Sequence, residues 1–264
     1  MKIKNVLVVY STIRSKKEKN TINTVKNTLE KYNIKNRFIK RGKLNKNLFK
    51  NADLVIAIGG DGTFLRAAHF IFDKKPLLGV NSYSEKKEGF FMNAAKGDFA
   101  QKFKKILNNK HKIKKLHRLE AYVGNKKAQE LALNEFYIAS ERPYHTARYF
   151  MVIKGKKERQ KSSGILISTA AGSNAWVKSA GGKILPLDSD KFEYLVREPY
   201  CGRVSAKCSL INGILGKNDK IEIFFEVGNG ILIADSLSRE YRFKAGQKVV
   251  IKMSKNPLYS ISFD

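Results

Sequence analysis

The sequence predicts a chain of two domains, an N-terminal doubly wound α/β domain followed by a C-terminal β-sandwich-like domain. The first hundred or so residues alternate apolar runs with helix-like segments. From about residue 112 many short strand-like runs follow one another, separated by clusters of Gly, Asn, Asp and Lys. The length of 264 residues is sufficient for two modest domains that each bury a core. We place the two domains at residues 1–110 and 111–264.

The N-terminal half contains four candidate strands and three candidate helices. Runs such as VLVVY and LVIAI are apolar throughout, as in parallel strands that are covered on both faces. In the first helical segment Ile22, Val25 and Leu29 recur at helical spacing, and Asn20 or Thr21 is its expected cap. Predicted strands cover residues 6–10, 36–41, 54–58 and 76–80, and predicted helices cover residues 20–33, 64–72 and 98–108. This alternation indicates a parallel sheet with helices on both faces.

The C-terminal half is predicted to be all-β. Several of its runs alternate apolar and polar residues, as half-buried antiparallel strands do. The candidates are residues 120–124, 131–139, 147–153, 164–169, 220–227, 230–235, 240–243 and 248–253. This pattern is typical of a sandwich or an open barrel.

The composition is strongly basic, with 52 Lys and Arg against 23 Asp and Glu and a net charge of +29. Such a charge could serve a polyanionic partner such as nucleic acid, or it could follow from the Lys-, Asn- and Ile-rich composition of an AT-biased genome. The lysines are scattered along the whole chain and no RNP1 or zinc-finger pattern is present. We therefore favour the compositional origin and expect no specific nucleic-acid partner.

The sequence also predicts a cytoplasmic protein without a membrane span or a protein-bound metal. No run approaches roughly 18 consecutive apolar residues, the length that a membrane-spanning helix needs. The apolar stretch near the N-terminus is short and lacks a small-residue cleavage site, so we interpret it as a strand. Cys201 and Cys208 are too few for a disulfide framework, and neither they nor the histidines have a metal-ligand spacing.

The stretch GGDGT, residues 59–63, lies between an apolar strand-like run and a helical segment. Gly59, Gly60 and Gly62 lack a Cβ, so phosphate oxygens can approach the backbone N–H groups and the helix N-terminus closely. Asp61 would then stand beside bound phosphate, where it could hold a magnesium ion or accept a proton from an attacking hydroxyl. The alternative is a plain turn with an Asp helix cap. The five-residue pattern favours phosphate binding.

Two further stretches are candidates for binding a nucleotide. Asn134 and Glu135 lie in LALNEFYIA, which has no other charge, and strand alternation turns one of them towards the core. A Glu can accept both hydroxyls of a ribose and an Asn can pair with an adenine edge, but an exposed Glu on an edge strand is an equal alternative. The stretch SSGILISTAAGSNAW, residues 162–176, indicates either a second Gly turn before a helix or an ordinary turn with Trp176 in the core. From this stretch alone we favour the ordinary turn.

These three stretches, in this order and spacing, resemble the NAD kinase family over nearly the whole chain. GGDGTFLRAA at residues 59–68 is similar to the family's first motif, the Asn134–Glu135 pair to its second, and TAAGSNAW at residues 169–176 to its third. The stretches KSSG at residues 161–164 and GVNSYSEKKEG at residues 79–89 resemble most the mitochondrial-type branch.

The resemblance implies a site between the two domains that transfers the ATP γ-phosphate to the 2′-hydroxyl of the adenosine ribose of NAD, giving NADP. It also implies Mg²⁺ bound with ATP and a homodimer or homotetramer. By matching motif positions, Asp61 would be the base or hydroxyl-orienting carboxylate. The residues that would bind the nucleotides are Gly59, Gly60, Gly62, Thr63, Arg66, Asn134, Glu135, Asn174, Ala175, Trp176, Ser179 and Asp235.

The sequence departs from the family pattern in places, and two other functions stay open. Ala170 and Asn174 replace a usual Pro and Thr of the third motif, and the turn after GVN is longer than usual. A lipid kinase of the diacylglycerol or sphingosine type shares GGDGT, but nothing marks the apolar acyl pocket that it needs. A non-catalytic nucleotide or RNA binder would use the positive charge, but the presence of Asp61 argues for a working enzyme.

Overall fold

The computed structural model describes residues 3–202, 208–237 and 239–263. The chain divides into two compact units. Unit 1 runs up to Lys115 and includes the segment from Leu258 onwards, and unit 2 is Leu116–Pro257. Compared with the boundary expected after residue 110, the first unit is slightly longer. The C-terminal segment, which we assigned to the second domain, belongs to the first.

Unit 1 is built on one seven-stranded sheet. Its strands are β1 (Asn5–Tyr10), β2 (Lys35–Lys40), β3 (Leu54–Gly59), β4 (Pro76–Asn81), β5 (Met92–Ala95), β6 (Lys112–Leu116) and, from the end of the chain, β19 (Leu258–Ser262). The order is β2-β1-β3-β4-β19-β6, and β5 pairs with the later part of β4. The pairs among β1 to β5 and between β4 and β19 are parallel. Every residue of β3 and β4 is buried, as the apolar runs predict.

Helices cover both faces of this sheet. They are α1 (Lys16–Lys31), α2 (Lys46–Phe49), α3 (Asp61–Ala68) and α4 (Phe99–Leu107). Apolar residues of α1 and α4, such as Leu29 and Phe103, share a core with alternate strand residues such as Val8. The intervening strand residues, Leu7 and Val55 among them, are equally buried and lie outside that core. α3 packs against β3 and β4, which confirms the doubly wound arrangement.

Unit 2 is a sandwich of two six-stranded antiparallel sheets. Its elements are β7 (Leu119–Val123), β8 (Lys126–Lys127), β9 (Glu135–Ser140), β10 (Ala147–Ile153), β11 (Lys156–Ser162), β12 (Gly164–Thr169), α5 (Trp176–Ser179), β13 (Phe192–Arg197), β14 (Asn212–Leu215), β15 (Lys220–Phe225), β16 (Asn229–Ala234), β17 (Glu240–Lys244) and β18 (Lys248–Met253). One sheet has the order β11-β10-β15-β18-β7-β8 and the other β14-β13-β12-β9-β16-β17. Inward-facing residues of both sheets, such as Met151, Ile223, Phe136 and Ile167, form one core.

Several predicted element bounds were wrong. The first helix begins at Lys16 because Ser15, and neither Asn20 nor Thr21, is its cap, with the Ser15 hydroxyl accepting the Glu18 N–H. The strand predicted at residues 131–139 begins only at its fifth residue, because the preceding N–H groups bind a side chain instead of a neighbouring strand. The sequence prediction also missed the strands β5, β6, β8, β11, β13 and β14 and the short helix α2.

The two cysteines, from which we expected no disulfide framework, are joined to each other by one disulfide. Their Cα atoms lie 5.8 Å apart, and the two residues are separated by 7 positions in the sequence. Within the described residues, no helix has both the length and the apolar character that crossing a membrane requires.

Candidate functional site

The GGDGT stretch lies where three parallel strands of unit 1 end. β3 ends at Gly59, and α3 begins two residues later at Asp61. The N–H of Ser11, just after β1, donates to the Ile58 carbonyl at 3.1 Å, and the N–H of Ser82, just after β4, donates to the Gly59 carbonyl at 3.0 Å. The stretch therefore occupies the carboxyl edge of the sheet, where open α/β sheets bind their ligands.

Thr63 explains why a glycine stands at position 59. A Cβ added to Gly59 would lie 2.4 Å from the Thr63 Oγ1, too close for any real contact. That hydroxyl is buried and has no hydrogen-bond partner among the residues that the structure describes. Gly60 is the N-cap of α3, and no side chain caps this helix. An unpaired buried hydroxyl beside an uncapped helix N-terminus suits a bound anion such as phosphate.

The Asp61 carboxylate is held by two backbone N–H groups. Phe90 donates to Oδ2 at 3.0 Å and Phe91 donates to Oδ1 at 2.9 Å. A carboxylate has about four acceptor positions, so these bonds orient the group and leave room for further donors. The carboxylate lines a cavity of 320 Å³. It can therefore accept a proton from a hydroxyl group bound in that cavity.

Three arginines gather around the same cavity. Arg14 and Arg41 line it. Burial, followed by the nearby charges of Arg66 and Arg14, lowers the pKa of Arg41 from its usual value. None of the three guanidinium groups forms an ion pair within the described part of the chain. Three arginines close together repel one another, and this repulsion favours a bound polyanion such as a triphosphate, although Asp61 and Glu88 also line the cavity.

Lys87 connects the long turn after β4 to this cavity. Its Nζ donates to the Glu18 Oε1 at 2.6 Å and to the Ser82 Oγ at 2.7 Å. Burial acts to raise the pKa of Glu18, but the bonds from Lys87 and from the Arg14 N–H together lower it below its usual value. A Cβ on Gly60 would lie 3.4 Å from the Lys87 Cδ. The ion pair thus ties the turn to α1 close to Gly60, in the stretch of residues 59–63 that we name the phosphate loop after its predicted role.

In unit 2, Asp235 holds the Asn134–Glu135 pair in place. Its buried carboxylate accepts the N–H groups of Leu133 at 2.9 Å, of Asn134 at 2.7 Å and of Glu135 at 3.2 Å. In return the Asp235 N–H donates to the Glu135 carbonyl at 2.9 Å. Asp235 has a positive φ of 51° at the end of β16. These backbone bonds position the pair where β9 begins, and the buried Arg118 guanidinium interacts with the Asp235 charge.

The TAAGSNAW stretch packs directly on this pair. The Thr169 N–H donates to the Asn134 carbonyl at 2.9 Å, and the Thr169 hydroxyl donates to the Leu133 carbonyl. A Cβ on Gly172 would lie 2.1 Å from the Asn134 carbonyl oxygen, so only glycine fits there. The structure therefore brings together the second and third stretches that the sequence singled out.

Glu135 is a buried acid with an unused oxygen. Its side chain is 3% exposed, and its Oε2 has no hydrogen-bond partner among the described residues. Burial and the neighbouring Asp235 charge raise the pKa of Glu135 to about 8, although a bond with Ser236 acts against them. The Oδ1 of Asn134 is likewise buried and unpaired within the described residues. Two unsatisfied polar atoms on consecutive residues are typical of a site that a polar ligand completes.

A second buried acid, Glu193 on β13, lies two strands away from Glu135 on β9. Ser168 pairs with Glu135 on one side and with Glu193 on the other, so the three side chains share one face of the sheet. Burial raises the pKa of Glu193, although the Lys183 N–H and charge act in the opposite direction. The sequence analysis missed Glu193 because it did not predict β13. The acidic residue within the apolar run FEYLVR was the available sequence signal for a buried, functional acid.

The raised pKa of Glu135 predicts that stability falls with rising pH. Between about pH 4.5 and 8 the unfolded chain has lost this proton and the folded chain has kept it. Since the folded state binds more protons in this window, the free energy of unfolding decreases across it and levels off above pH 8. Glu135→Gln should flatten this part of the profile, as measured by denaturant unfolding at several pH values. An unchanged slope in the variant would contradict the assignment.

Two models of known families match the chain. The model described as the ATP-NAD kinase N-terminal domain covers residues 4–111, and the ATP-NAD kinase C-terminal domain covers residues 110–263. The chain belongs to the ATP-NAD kinase family. It is therefore an enzyme, an ATP-dependent phosphotransferase, and the resemblance inferred from the three motifs is confirmed.

Individual relatives agree with the family models. The chain is 28% identical to a probable NADH kinase of Oryza sativa subsp. japonica over 86% of this chain and 75% of the relative. It is 28% identical to an NAD kinase of Thermoplasma volcanium over 81% of this chain and 75% of the relative. An NAD kinase from Archaeoglobus fulgidus, solved in complex with ATP, has the same fold, with a TM-score of 0.79 at 21% identity over 98% of this chain and 93% of that one. The yeast NADH kinase complexed with NADH gives a TM-score of 0.82 at 16% identity over 98% of this chain and 83% of that one.

The remaining predicted binding residues of this kinase family member lie in and after the second Gly turn. Asn174 ends a short 3-10 turn, and Ala175 precedes the four-residue helix α5. Trp176 is only partly buried and packs at the edge of a small hydrophobic cluster that contains Leu166 and Val177, so it is a peripheral core residue. Its ring lies 4.9 Å from that of Tyr137, and the Arg197 guanidinium lies 5.1 Å above it. Ser179, the last residue of α5, is exposed.

Sequence reasoning missed several residues that line the cavity beside Asp61, which we name the phosphate cavity after its predicted role. They are Ser11, Thr12, Arg14, Glu18, Arg41, Lys87, Glu88 and Gly89. The only sequence signal for these residues was their position in the chain, since each follows or faces the end of a parallel strand.

Proposed function

We propose that this enzyme is an NAD kinase that transfers the γ-phosphate of ATP to the 2′-hydroxyl of the adenosine ribose of NAD. The observation that carries the proposal is the Asp61 carboxylate, oriented by two N–H groups beside a cavity lined with arginines. As the 2′-oxygen attacks the γ-phosphorus, Asp61 accepts its proton. The bond between the γ-phosphorus and the bridging oxygen then breaks and ADP leaves.

The cationic groups of unit 1 are assigned to the phosphates of the donor. Gly59, Gly60 and Gly62 keep the backbone open, and the Thr63 hydroxyl lacks a partner among the described residues. Arg66 and the two arginines that line the cavity neutralise the charge that the transferred phosphoryl group carries. Among the described residues no group of three or more acidic, His or Cys side chains could hold a metal ion. We infer that Mg²⁺ enters as part of the MgATP substrate, bound through phosphate oxygens.

The polar pair of unit 2 is assigned to the adenosine of NAD. Asn134 has an unpaired oxygen for the adenine edge and Glu135 has one for the ribose hydroxyls. Asp235 acts through both of them by holding their backbone. We assign Asn174, Ala175, Trp176 and Ser179 to the rest of this pocket, and propose that the enzyme is a cytoplasmic homodimer or homotetramer.

Arg41→Ala should raise the KM for ATP by about tenfold and leave the KM for NAD nearly unchanged. The reason is that one charge-assisted contact with the donor phosphates is lost, worth roughly 1.5–3 kcal/mol. Steady-state kinetics with each substrate varied in turn measure both constants. Arg37→Ala on the same strand–turn segment, outside the cavity, is the control. An equal rise in both KM values would count against the assignment.

The function itself is tested by incubating the purified chain with ATP, magnesium and NAD and measuring NADP directly. Parallel reactions contain NADH, because relatives of this chain include NADH kinases, and diacylglycerol, because lipid kinases share GGDGT. We expect phosphorylation of the dinucleotide and none of the lipid. ATP-dependent phosphorylation of diacylglycerol without NADP formation would overturn the proposal.

A further inference from the structure

Unit 2 contains a second cavity that the proposed reaction does not use. It has a volume of 550 Å³. Its lining residues are Ser140, Glu141, Arg142, Tyr144, His145, Thr146, Ala147, Arg148, Lys161, Phe225, Val227, Gly228 and Asn229, and we call it the cationic cavity. Glu135 begins β9 and Ser140 ends it. Because a strand rises by about 3.3 Å per residue, the cationic cavity lies about 17 Å from Glu135.

The walls of this cavity carry uncompensated positive charge. Arg142, Arg148 and Lys161 line it, and none of them forms an ion pair with a residue that the structure describes. The one acidic lining residue, Glu141, is neutralised by Arg242, whose NH1 lies 2.6 Å from its Oε1. The net field in the cavity therefore attracts an anion, and a low-dielectric wall strengthens that attraction.

The same cavity exposes aromatic and apolar surface. The Tyr144 side chain is 75% exposed, and its ring meets the His145 ring edge-on at 4.7 Å. Val227 is 54% exposed, and Phe225 contributes to the lining. The exposed ring of Tyr144 provides a surface on which a planar base can stack.

Three hydrogen bonds tie the loop of this cavity to itself and to Asn229 at the start of β16. The Glu141 N–H donates to the Asn229 carbonyl at 3.1 Å, and the His145 N–H donates to the Arg142 carbonyl at 3.0 Å. The Arg142 N–H donates to the Ser140 Oγ at 3.3 Å. These bonds reduce the entropic cost of ordering the loop when a ligand binds.

We propose that the cationic cavity binds a free mononucleotide, with its base against Tyr144 and its phosphates between Arg142, Arg148 and Lys161. Its volume lies within the range of roughly 300–1,000 Å³ that small-molecule pockets occupy. A single-stranded nucleic acid needs a groove that follows several nucleotides, whereas these cations surround one cavity. The site is independent of the proposed function and provides a second nucleotide site on the enzyme, apart from the residues assigned to catalysis.

The test is photolabelling of the full chain with 8-azido-ADP, followed by mapping of the labelled peptides. We expect 8-azido-ADP to label a peptide that contains Tyr144 in the cationic cavity, in addition to any peptides that it labels at other sites. Arg148→Ala should reduce labelling of this peptide by about tenfold, since it removes a charge-assisted contact. Arg159→Ala is the matched control. This exposed arginine stands on the adjacent strand β11 and pairs with Glu226 outside the cavity, so it should leave the labelling unchanged.

Competition experiments decide what the site recognises. Unlabelled ADP should protect the Tyr144 peptide at lower concentrations than inorganic triphosphate or a short oligouridylate does. Absence of label at this peptide, or equal losses in Arg148→Ala and Arg159→Ala, would overturn the site. Equal protection by triphosphate would overturn base recognition, and stronger protection by the oligouridylate would overturn the assignment to a free nucleotide. NADP formation by Arg148→Ala at the normal kcat would confirm that the variant is folded.

Discussion

Asp61→Asn is expected to lower kcat for NADP formation by about two to four orders of magnitude, the range for loss of a general base. The amide cannot accept the proton of the 2′-hydroxyl, and its NH₂ group faces one of the two N–H groups that hold the carboxylate. The KM for each nucleotide should change little, because the arginines and the open backbone of the phosphate loop are untouched. Single-turnover and steady-state assays of NADP formation measure the loss.

A matched control separates lost chemistry from lost structure. Asp53 also accepts two backbone N–H groups, those of Lys4 and Asn5, each at 2.8 Å. It precedes β3, whereas Asp61 follows that strand, so it lies about 20 Å from the phosphate loop at about 3.3 Å per residue. Asp53→Asn should cost similar stability and retain most of kcat. Similar kcat values for the two variants would show that Asp61 is only a structural acceptor.

The parts of the fold that the sequence predicts best are those with continuous patterns. β1, β3 and β4 are apolar runs buried on both faces, and the alternation of these strands with helices identifies a doubly wound sheet before any coordinates are known. Edge strands are harder to predict. The strand β11, KKERQKS, pairs along one side only and consists mostly of charged residues, so it has no periodic apolar signal.

In the candidate site too, features formed by neighbouring residues could be predicted from the sequence, whereas contacts between distant residues could not. GGDGT can be interpreted from five consecutive residues, because a strand, three glycines and a helix start are all local features. The arginines of the phosphate cavity come from the loop before α1 and the turn after β2, and only the parallel order of the strands brings them together. Asp235 was a candidate for a ligand contact. The hydrogen bond that Asp235 accepts from the Leu133 N–H, about a hundred residues earlier in the chain, could not be inferred from spacing.

Gly172→Ala is expected to destabilise unit 2 by about 2–3 kcal/mol and to raise the KM for NAD. The added methyl group would lie 2.1 Å from the Asn134 carbonyl oxygen and 2.5 Å from the Asn134 Cα, both backbone atoms that cannot rotate away. The third motif must therefore move away from the second. This movement lengthens the bond from the Thr169 N–H to the Asn134 carbonyl and shifts the unpaired oxygens of the pair.

Gly216→Ala is the matched control for this prediction. It lies in the same unit, has no positive φ, and its added Cβ would meet only the Asp219 Oδ2 at 3.5 Å, an ordinary contact. Chemical denaturation of both variants, together with KM measurements for NAD and ATP, separates the effects. Gly172→Ala should affect stability and the KM for NAD while the KM for ATP stays near normal, because the phosphate cavity is built entirely from unit 1. Equal stability of the two variants would mean that the two motifs tolerate separation. The close packing of Gly172 on Asn134 would then have no role in positioning the adenosine pocket.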